Sequence, residues 1–416
     1  MKILVVGGGG REHTIIWKIA QSPKVDKIYA APGNGGISEL AECVDIKATD
    51  IPAMVAFAKK EQIDLVMVAP DDPLVLGMVD AMEQEGIRAF GPRANAAIIE
   101  GSKVFSKDLM KKYKIPTAAY EVFEDSNEAI AYVKKGSFPT VIKAEGLALG
   151  KGVIIAQNEE EAVDAIREIM EDKKFGESGN RVVIEEFLTG PEVSVLAFTD
   201  GKTVRPMVSA QDHKRALDHD QGLNTGGMGT FSPSRLYTKQ MEEECMENIF
   251  LPTIRAMAQE GRAFKGVLYF GLMMTPNGVK VIEYNARFGD PETQVVLPRL
   301  ESDLVEIMEA VVDERLDEVE IKWADNAAVC VVLASGGYPQ KYQTGYEIEG
   351  LDNVDDFLIF HAGTKKQDGK FLTAGGRVLG VTAVAENLDA AIKKAYEGVS
   401  KITFTDIHYR KDIGIK

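Results

Sequence analysis

The chain has 416 residues, of which 45% are hydrophobic and 27% charged, the proportions of a soluble globular protein with about three domains at ~150 residues each. Against 48 Lys and Arg stand 64 Asp and Glu, a net charge of −16 that repels phosphate backbones and anionic lipid and argues against nucleic-acid or membrane partners. No apolar run approaches the length of a membrane span.

The first strand is expected at Ile3–Val6, running directly into Gly7–Gly10. That apolar start is too short for a signal-peptide core, so a cytoplasmic location is expected. Further apolar runs at Ile28–Ala31, Val44–Ile46, Leu65–Ala69 and Ala89–Phe90 alternate with helical patterns at Thr14–Gln21 and Ala53–Glu61. Continuous Val/Ile/Leu runs between helices predict a parallel sheet covered on both faces, with ligands at the carboxyl ends of its strands. There lie the turns Gly7–Glu12 and Pro70–Pro73. The first loop is not a dinucleotide fingerprint, because Glu12 stands where the third glycine is required. A phosphate-bearing small substrate and a turn that needs glycine for geometry alone both remain open.

A helix follows over Ser102–Lys112, ended by Ile115-Pro116. Short strands are predicted at Thr140–Ala144, Val153–Ala156 and Val182–Phe187, with a polar helix at Glu159–Glu171. Lys143 lies in a strand ahead of a glycine-rich stretch, which suits a phosphate, although a solvated edge-strand lysine fits as well. A glycine-rich loop at Gly222–Gly229 precedes an Asn-Gly hairpin, Val267–Thr275 with Lys280–Arg287. On its second strand Glu283, Asn285 and Arg287 alternate onto one face. A carboxylate, an amide oxygen and a guanidinium in a row suit a hard cation and the phosphate it bridges. The apolar partner strand argues for burial, and buried charge needs a partner or a ligand. Helix Asp303–Glu314 and a small α+β unit from about Asn326 complete the chain. The three cysteines are far apart and form no C-x-x-C pair; Cys43 and Cys330 sit among apolar residues and are expected to be buried free thiols. The five histidines show no metal-ligand spacing.

Together these pieces resemble a known family. Glu283-x-Asn285-x-Arg287, Lys103, Lys143 and the strand Val183–Phe187 are similar to ATP-grasp carboxylate–amine ligases. The blocks Gly8–His13, Glu100–Lys103, Gly150–Val153, Gln211–Arg215, Asn224–Gly229, Arg287–Gln294, Leu333–Pro339 and Gly375–Gly380 resemble, within that group, the glycinamide ribonucleotide synthetases. The resemblance spans the whole chain in order. It implies an α/β and α+β multidomain fold: an open parallel α/β domain over 1–102, an ATP-grasp core over 103–325 with a mobile lid at about 120–188, and a small C-terminal α+β domain over 326–416.

It also implies a reaction, in which ATP, glycine and 5-phosphoribosylamine become glycinamide ribonucleotide, ADP and phosphate, with Mg²⁺ or Mn²⁺. Carried over by position, Lys103, Lys143 and Lys151 would meet the nucleotide phosphates. Glu185, Glu186, Phe187 and Leu188 would line the adenine, and Glu192 would hold the ribose. Glu283 and Asn285 would ligate the metal, and Arg287, Asp212 and Lys214 would serve the chemistry. Substrate contacts would come from Gly9, Gly10, Arg11, Asp71 and Pro73, from Arg215, Asn224, Thr225, Gly226, Gly227 and Met228, and from Gly289 and Asp290. The chain departs from the family's pattern at Asp71, where Glu is common, at Glu145, where Asp is usual, and at His219 and Leu223, where small or turn residues stand. It also lacks an acid on Val267–Thr275, where many ATP-grasp enzymes place another metal ligand. The expected partners are small molecules, with a monomer or weak homodimer and a transient contact with the enzyme supplying phosphoribosylamine. The competing readings are another ATP-grasp carboxylase or ligase and a nucleotide-binding regulatory protein without turnover.

Overall fold

Four of the five apolar runs of the first hundred residues become strands with two buried faces. The computed structural model describes residues 1–147 and 152–415. Strands Glu42–Cys43, Lys27–Pro32, Lys2–Gly7, Leu65–Val68 and Ala89–Phe90 form, in that order, a wholly parallel sheet. Leu4 and Val6 enter one hydrophobic core while Ile3 and Val5 enter another, which is why the run shows no polar alternation. The third strand lies at Glu42–Cys43, ahead of the apolar Val44–Ile46. As a two-residue edge strand it leaves Cys43 exposed, correcting the expectation of a buried thiol; Cys245 and Cys330 are buried, and all three are free.

The expected lid contains a four-stranded antiparallel sheet ordered Tyr120–Phe123, Val182–Glu186, Thr140–Ala144, Val153–Ala156. Helices Ser126–Val133 and Glu159–Met170 cover one face, each started by a side-chain cap, Asp125 and Asn158. Ile142, Ile166, Ile169 and Ile184 fill the small core between. A second antiparallel sheet, ordered Val204–Pro206, Glu192–Asp200, Lys265–Thr275, Gly278–Asn285, supplies the opposite wall. Its last hairpin turns at the predicted Asn-Gly, and a bulge at Gly271/Leu272 shifts the register beside Glu283.

The third sheet mixes distant segments. Gln211–Asp212 and Gly229–Ser232 pair in series onto Ala327–Ser335, which continues to Arg377–Ala385 and Leu358–His361. Helix Leu388–Val399 packs on this sheet. Part of the predicted loop at Gly222–Gly229 is in fact strand: Gln221–Asn224 pairs with Arg215–Leu217 as a short hairpin. Among the described residues no helix is long and apolar enough to cross a membrane.

Candidate active site

The lid sheet and the second sheet face each other across a cleft lined with lysine. Lys143 projects from the lid strand Thr140–Ala144 and reaches the Ile282 carbonyl of the opposite hairpin at 3.2 Å. Glu185, on the neighbouring lid strand, is buried and takes Lys143 on one oxygen at 2.9 Å and Lys107 on the other at 3.0 Å. Lys103 starts the helix Lys103–Lys112, with Ser102 as its cap, and donates to the Gly146 carbonyl at 2.9 Å. Burial and the nearby Lys143 charge lower the Lys103 ammonium below the usual lysine range. Lys151 lies outside the described residues.

The end of the lid strand carries the expected adenine side. Leu188 is buried and Glu186 exposed. The Glu186 N–H already donates to the Ala119 carbonyl at 2.9 Å, which leaves the Glu186 carbonyl and the Leu188 backbone for a base. Phe187 is half-buried between them.

Opposite, alternation along Gly278–Asn285 places Tyr284 in the core against Phe270 and leaves Glu283 and Asn285 half-buried on the other face. Lys214 stands between two carboxylates, 3.4 Å from Glu283 and 3.2 Å from Glu192. Those two acids raise the Lys214 ammonium well above its ordinary value. Lys214 in turn holds Glu283 below the usual carboxylate range, against the opposing effect of burial. The Glu283 carboxylate is therefore ionised at neutral pH, as a metal ligand must be. Among the described residues no group of three or more His, Cys, Asp or Glu is arranged to hold a metal by itself. One carboxylate and one amide oxygen fit a hard cation whose remaining ligands are phosphate oxygens and water.

Arg287 lies just beyond the strand, its Nη2 3.4 Å from Asn285 Oδ1 and 3.1 Å from Glu100. Glu100 is buried and also accepts the Ala286 N–H at 2.6 Å. Burial opposes the Arg287 charge, but Glu100 and Asp71 more than offset it and keep the guanidinium firmly protonated. Among the described residues, Arg287 Nε and Asp212 Oδ1 are buried without a hydrogen-bond partner. Burial and the neighbouring Glu292 charge raise the Asp212 carboxyl well above its usual value. A buried donor and a buried acceptor left open at one cleft are the mark of a ligand site.

The glycine-rich segments close the far end. Thr225 N–H and Oγ both bind the Lys214 carbonyl at 2.8 Å, and Arg215 donates to Gly222 at 2.8 Å. Arg377, from the C-terminal sheet, donates to the carbonyls of Gly226 at 2.7 Å and Asp290 at 3.0 Å. Gly227 has φ +115°, and a Cβ there would sit 2.7 Å from Asp212 Oδ1 and 2.4 Å from Pro291, so only glycine fits. Met228 is fully buried with both backbone groups engaged, by His213 and Val332, so it supports the loop from beneath. Burial raises the Asp290 carboxyl, but Arg377 and Arg11 overcome that effect and hold it below the usual range. The N-terminal loop faces this point. Gly9 N–H binds Glu12 at 2.7 Å, Arg11 binds Glu12 and the Phe288 carbonyl, and a Cβ on Gly9 would lie 3.5 Å from Asp290 Oδ2. Gly10 abuts Gln294, and Thr293 donates to the Gly289 carbonyl. Pro73 is buried in the short helix Asp71–Val75 and faces the core, whereas Asp71 is half-buried within the electrostatic reach of Arg287 and Glu100.

The sequence matches the phosphoribosylglycinamide synthetase N domain over residues 1–100, its ATP-grasp (A) domain over 101–293 and its C domain over 328–416. The chain belongs to the phosphoribosylglycinamide synthetase family. It is 53% identical to a phosphoribosylamine–glycine ligase of Halalkalibacterium halodurans, over 100% of this chain and 97% of that one. It is 49% identical to the ligase of that name from Haemophilus influenzae, over 100% of this chain and 98% of the other. A crystal structure of phosphoribosylamine–glycine ligase from Thermotoga maritima superimposes with a TM-score of 0.88 at 34% identity, covering 99% of this chain and 100% of that one. Biotin carboxylase from Campylobacter jejuni shares the fold, with a TM-score of 0.76 at 15% identity over 100% of this chain and 94% of its own. The synthetase family thus accounts for the three-part architecture and its ATP-grasp core.

Four residues of this synthetase site escaped the sequence reading: Lys107, Glu100, Glu292 and Arg377. Lys107 carried a signal, since it follows Lys103 by four residues on a helix and shares its face. Glu100, Glu292 and Arg377 lie inside the recognised sequence blocks, but the partners of Glu100 and Arg377 come from other domains and those of Glu292 from distant strands of its own. Glu292 is buried and accepts Tyr269 OH at 3.0 Å and Ser194 Oγ at 3.3 Å.

Proposed function

We propose that this protein joins glycine to 5-phosphoribosylamine at the expense of ATP, giving glycinamide ribonucleotide, ADP and phosphate in purine biosynthesis. The observation that carries the residue assignment is the cleft in which Lys103, Lys143, Glu283, Asn285 and Arg287 converge. A carboxylate is inert toward amines, so it must first be activated as an acyl phosphate, and cations that balance the transferring phosphoryl supply most of that catalysis. Lys103 and Lys143 hold the phosphates, the Glu186 carbonyl and Leu188 backbone read the adenine edge beside Phe187, and Glu192 holds the ribose. Glu283 and Asn285 would hold Mg²⁺, or Mn²⁺, which would neutralise the phosphate charge when bound. Arg287 balances the carboxylate oxygen of glycine as it attacks the γ-phosphorus and the β–γ bond breaks.

Asp212 Oδ1 takes the glycine ammonium, and Lys214 keeps Glu283 and Glu192 in place. The phosphoribosylamine nitrogen then attacks the acyl carbon, sheds a proton, and phosphate leaves. Its phosphoribosyl group lies between the Gly9–Arg11 turn, Asp71 and the Asn224–Gly227 and Gly289-Asp290 loops. Water would destroy the intermediate, and closure of residues 120–188 over the cleft excludes it. The short-lived amine favours a transient contact with the enzyme that makes it, and a cytoplasmic site of action fits that supply. Glycine carrying heavy oxygen in its carboxylate tests the route: one labelled oxygen must appear in the released phosphate. Unlabelled phosphate would exclude the acyl phosphate.

A further inference from the structure

Arg410, close to the end of the chain, is fully buried, the largest such side chain among the described residues. Its guanidinium grips Asp412 with two bonds, Nε at 2.8 Å and Nη2 at 2.7 Å. The remaining nitrogen crosses to the hairpin Arg215–Asn224, donating to the Arg215 carbonyl at 3.1 Å and to Asp220 at 3.0 Å. Neighbouring tail residues do the same. Asp412 accepts the His219 N–H at 2.8 Å, the Lys411 N–H donates to Asp218 at 2.7 Å, and His408 Nε2 bonds the Ala216 carbonyl at 2.7 Å.

The hairpin needs this hold. His219 and Asp220 both adopt left-handed backbone conformations, φ 60° and 54°, which non-glycine residues keep only where the surroundings fix them. The hairpin grows directly from Lys214 at one end and from Asn224–Gly227 at the other. We infer that the C-terminal tail, through Arg410 and Asp412, is a positioning strap that holds the Asn224–Gly227 loop in register for the glycine and amine substrates. Nucleotide contacts from the lid lie on other elements and do not depend on it. The inference rests on the assignment of this loop to the glycine and amine side.

The test compares Asp412→Asn, Arg410→Lys and, as a direct loop variant, Asn224→Ala, all in the full chain. The strap predicts that Asp412→Asn and Arg410→Lys raise KM for glycine or phosphoribosylamine about tenfold or more, with the ATP dissociation constant unchanged within about twofold. Asp412→Asn keeps the shape of the side chain and remains informative if Arg410→Lys does not fold. Equal losses in ATP and acceptor constants would overturn the strap in favour of general destabilisation. An effect in Asn224→Ala but none in Asp412→Asn would overturn the strap and leave the loop assignment standing. No acceptor effect in any variant would overturn both.

Discussion

The Arg287 guanidinium lies 3.1 Å from the Glu100 carboxylate, with Glu100 buried and Arg287 half-buried where the N-terminal domain meets the ATP-grasp core. The two are not equivalent under mutation. Glu100→Ala strands a half-buried cation and the Ala286 N–H, and is expected to cost ~3–5 kcal/mol of stability. Arg287→Ala strands only Glu100, whose carboxyl burial already raises and which can take up a proton. That variant should fold and lose ~10²–10³ in kcat. Thermal melts beside steady-state kinetics separate the two effects.

Metal binding should follow the ionisation of Glu283. Lys214 lowers the Glu283 carboxyl from its ordinary 4.5, so its stabilising charge is present above that value and lost as pH falls through the lowered one. Lys214→Met removes the main cause. Its Mn²⁺ affinity in the presence of ATP should therefore fall away at a higher pH than that of the unmodified protein, which titration at stepped pH reads directly.

Lys107 is pushed down by burial to about 8, with Glu185 opposing the shift. As pH rises past that value Glu185 keeps only Lys143, drawing it from the nucleotide phosphates. ATP affinity should decline above pH 8 in the unmodified protein and be lower and flat with pH in Lys107→Met. The stability sign is the reverse. Between about 8 and 10.5 the unfolded chain binds the extra proton, so folding becomes more favourable with rising pH across that window. Calorimetric ATP titrations across the range decide the first point, and denaturant melts the second.

Burial and the Glu292 charge raise the Asp212 carboxyl, so a glycine ammonium that arrives below the raised value should expel a proton. Glycine binding measured in buffers of different ionisation enthalpy should show proton release, and glycine affinity should rise with pH through the raised value. Asp212→Asn should show neither.

Local pattern foretold what local chemistry builds. The strand Thr140–Ala144, the Asn-Gly hairpin and the shared face of Glu283 and Asn285 were legible, because turn type and two-residue alternation are properties of adjacent residues. Cys43 was not: an apolar neighbourhood in sequence says nothing about lying on a sheet edge. Arg377 and Arg410 were equally out of reach. Each meets its partners only after strands more than a hundred residues apart share one sheet or the tail folds back on a hairpin. The hairpin Arg215–Asn224 was hidden because its second strand runs into the glycine-rich stretch Gly222–Gly229, which reads as loop whether or not its backbone pairs.

The most direct measurement is ADP release by the purified protein with Mg²⁺ and ATP, with glycine and phosphoribosylamine each present or withheld, the amine being made in place from ribose 5-phosphate and ammonia. The site described above predicts full turnover only when both acceptors are present, with glycinamide ribonucleotide formed in equal amount to ADP. Turnover that proceeds without either one, or with a different carboxylate in place of glycine, would contradict it.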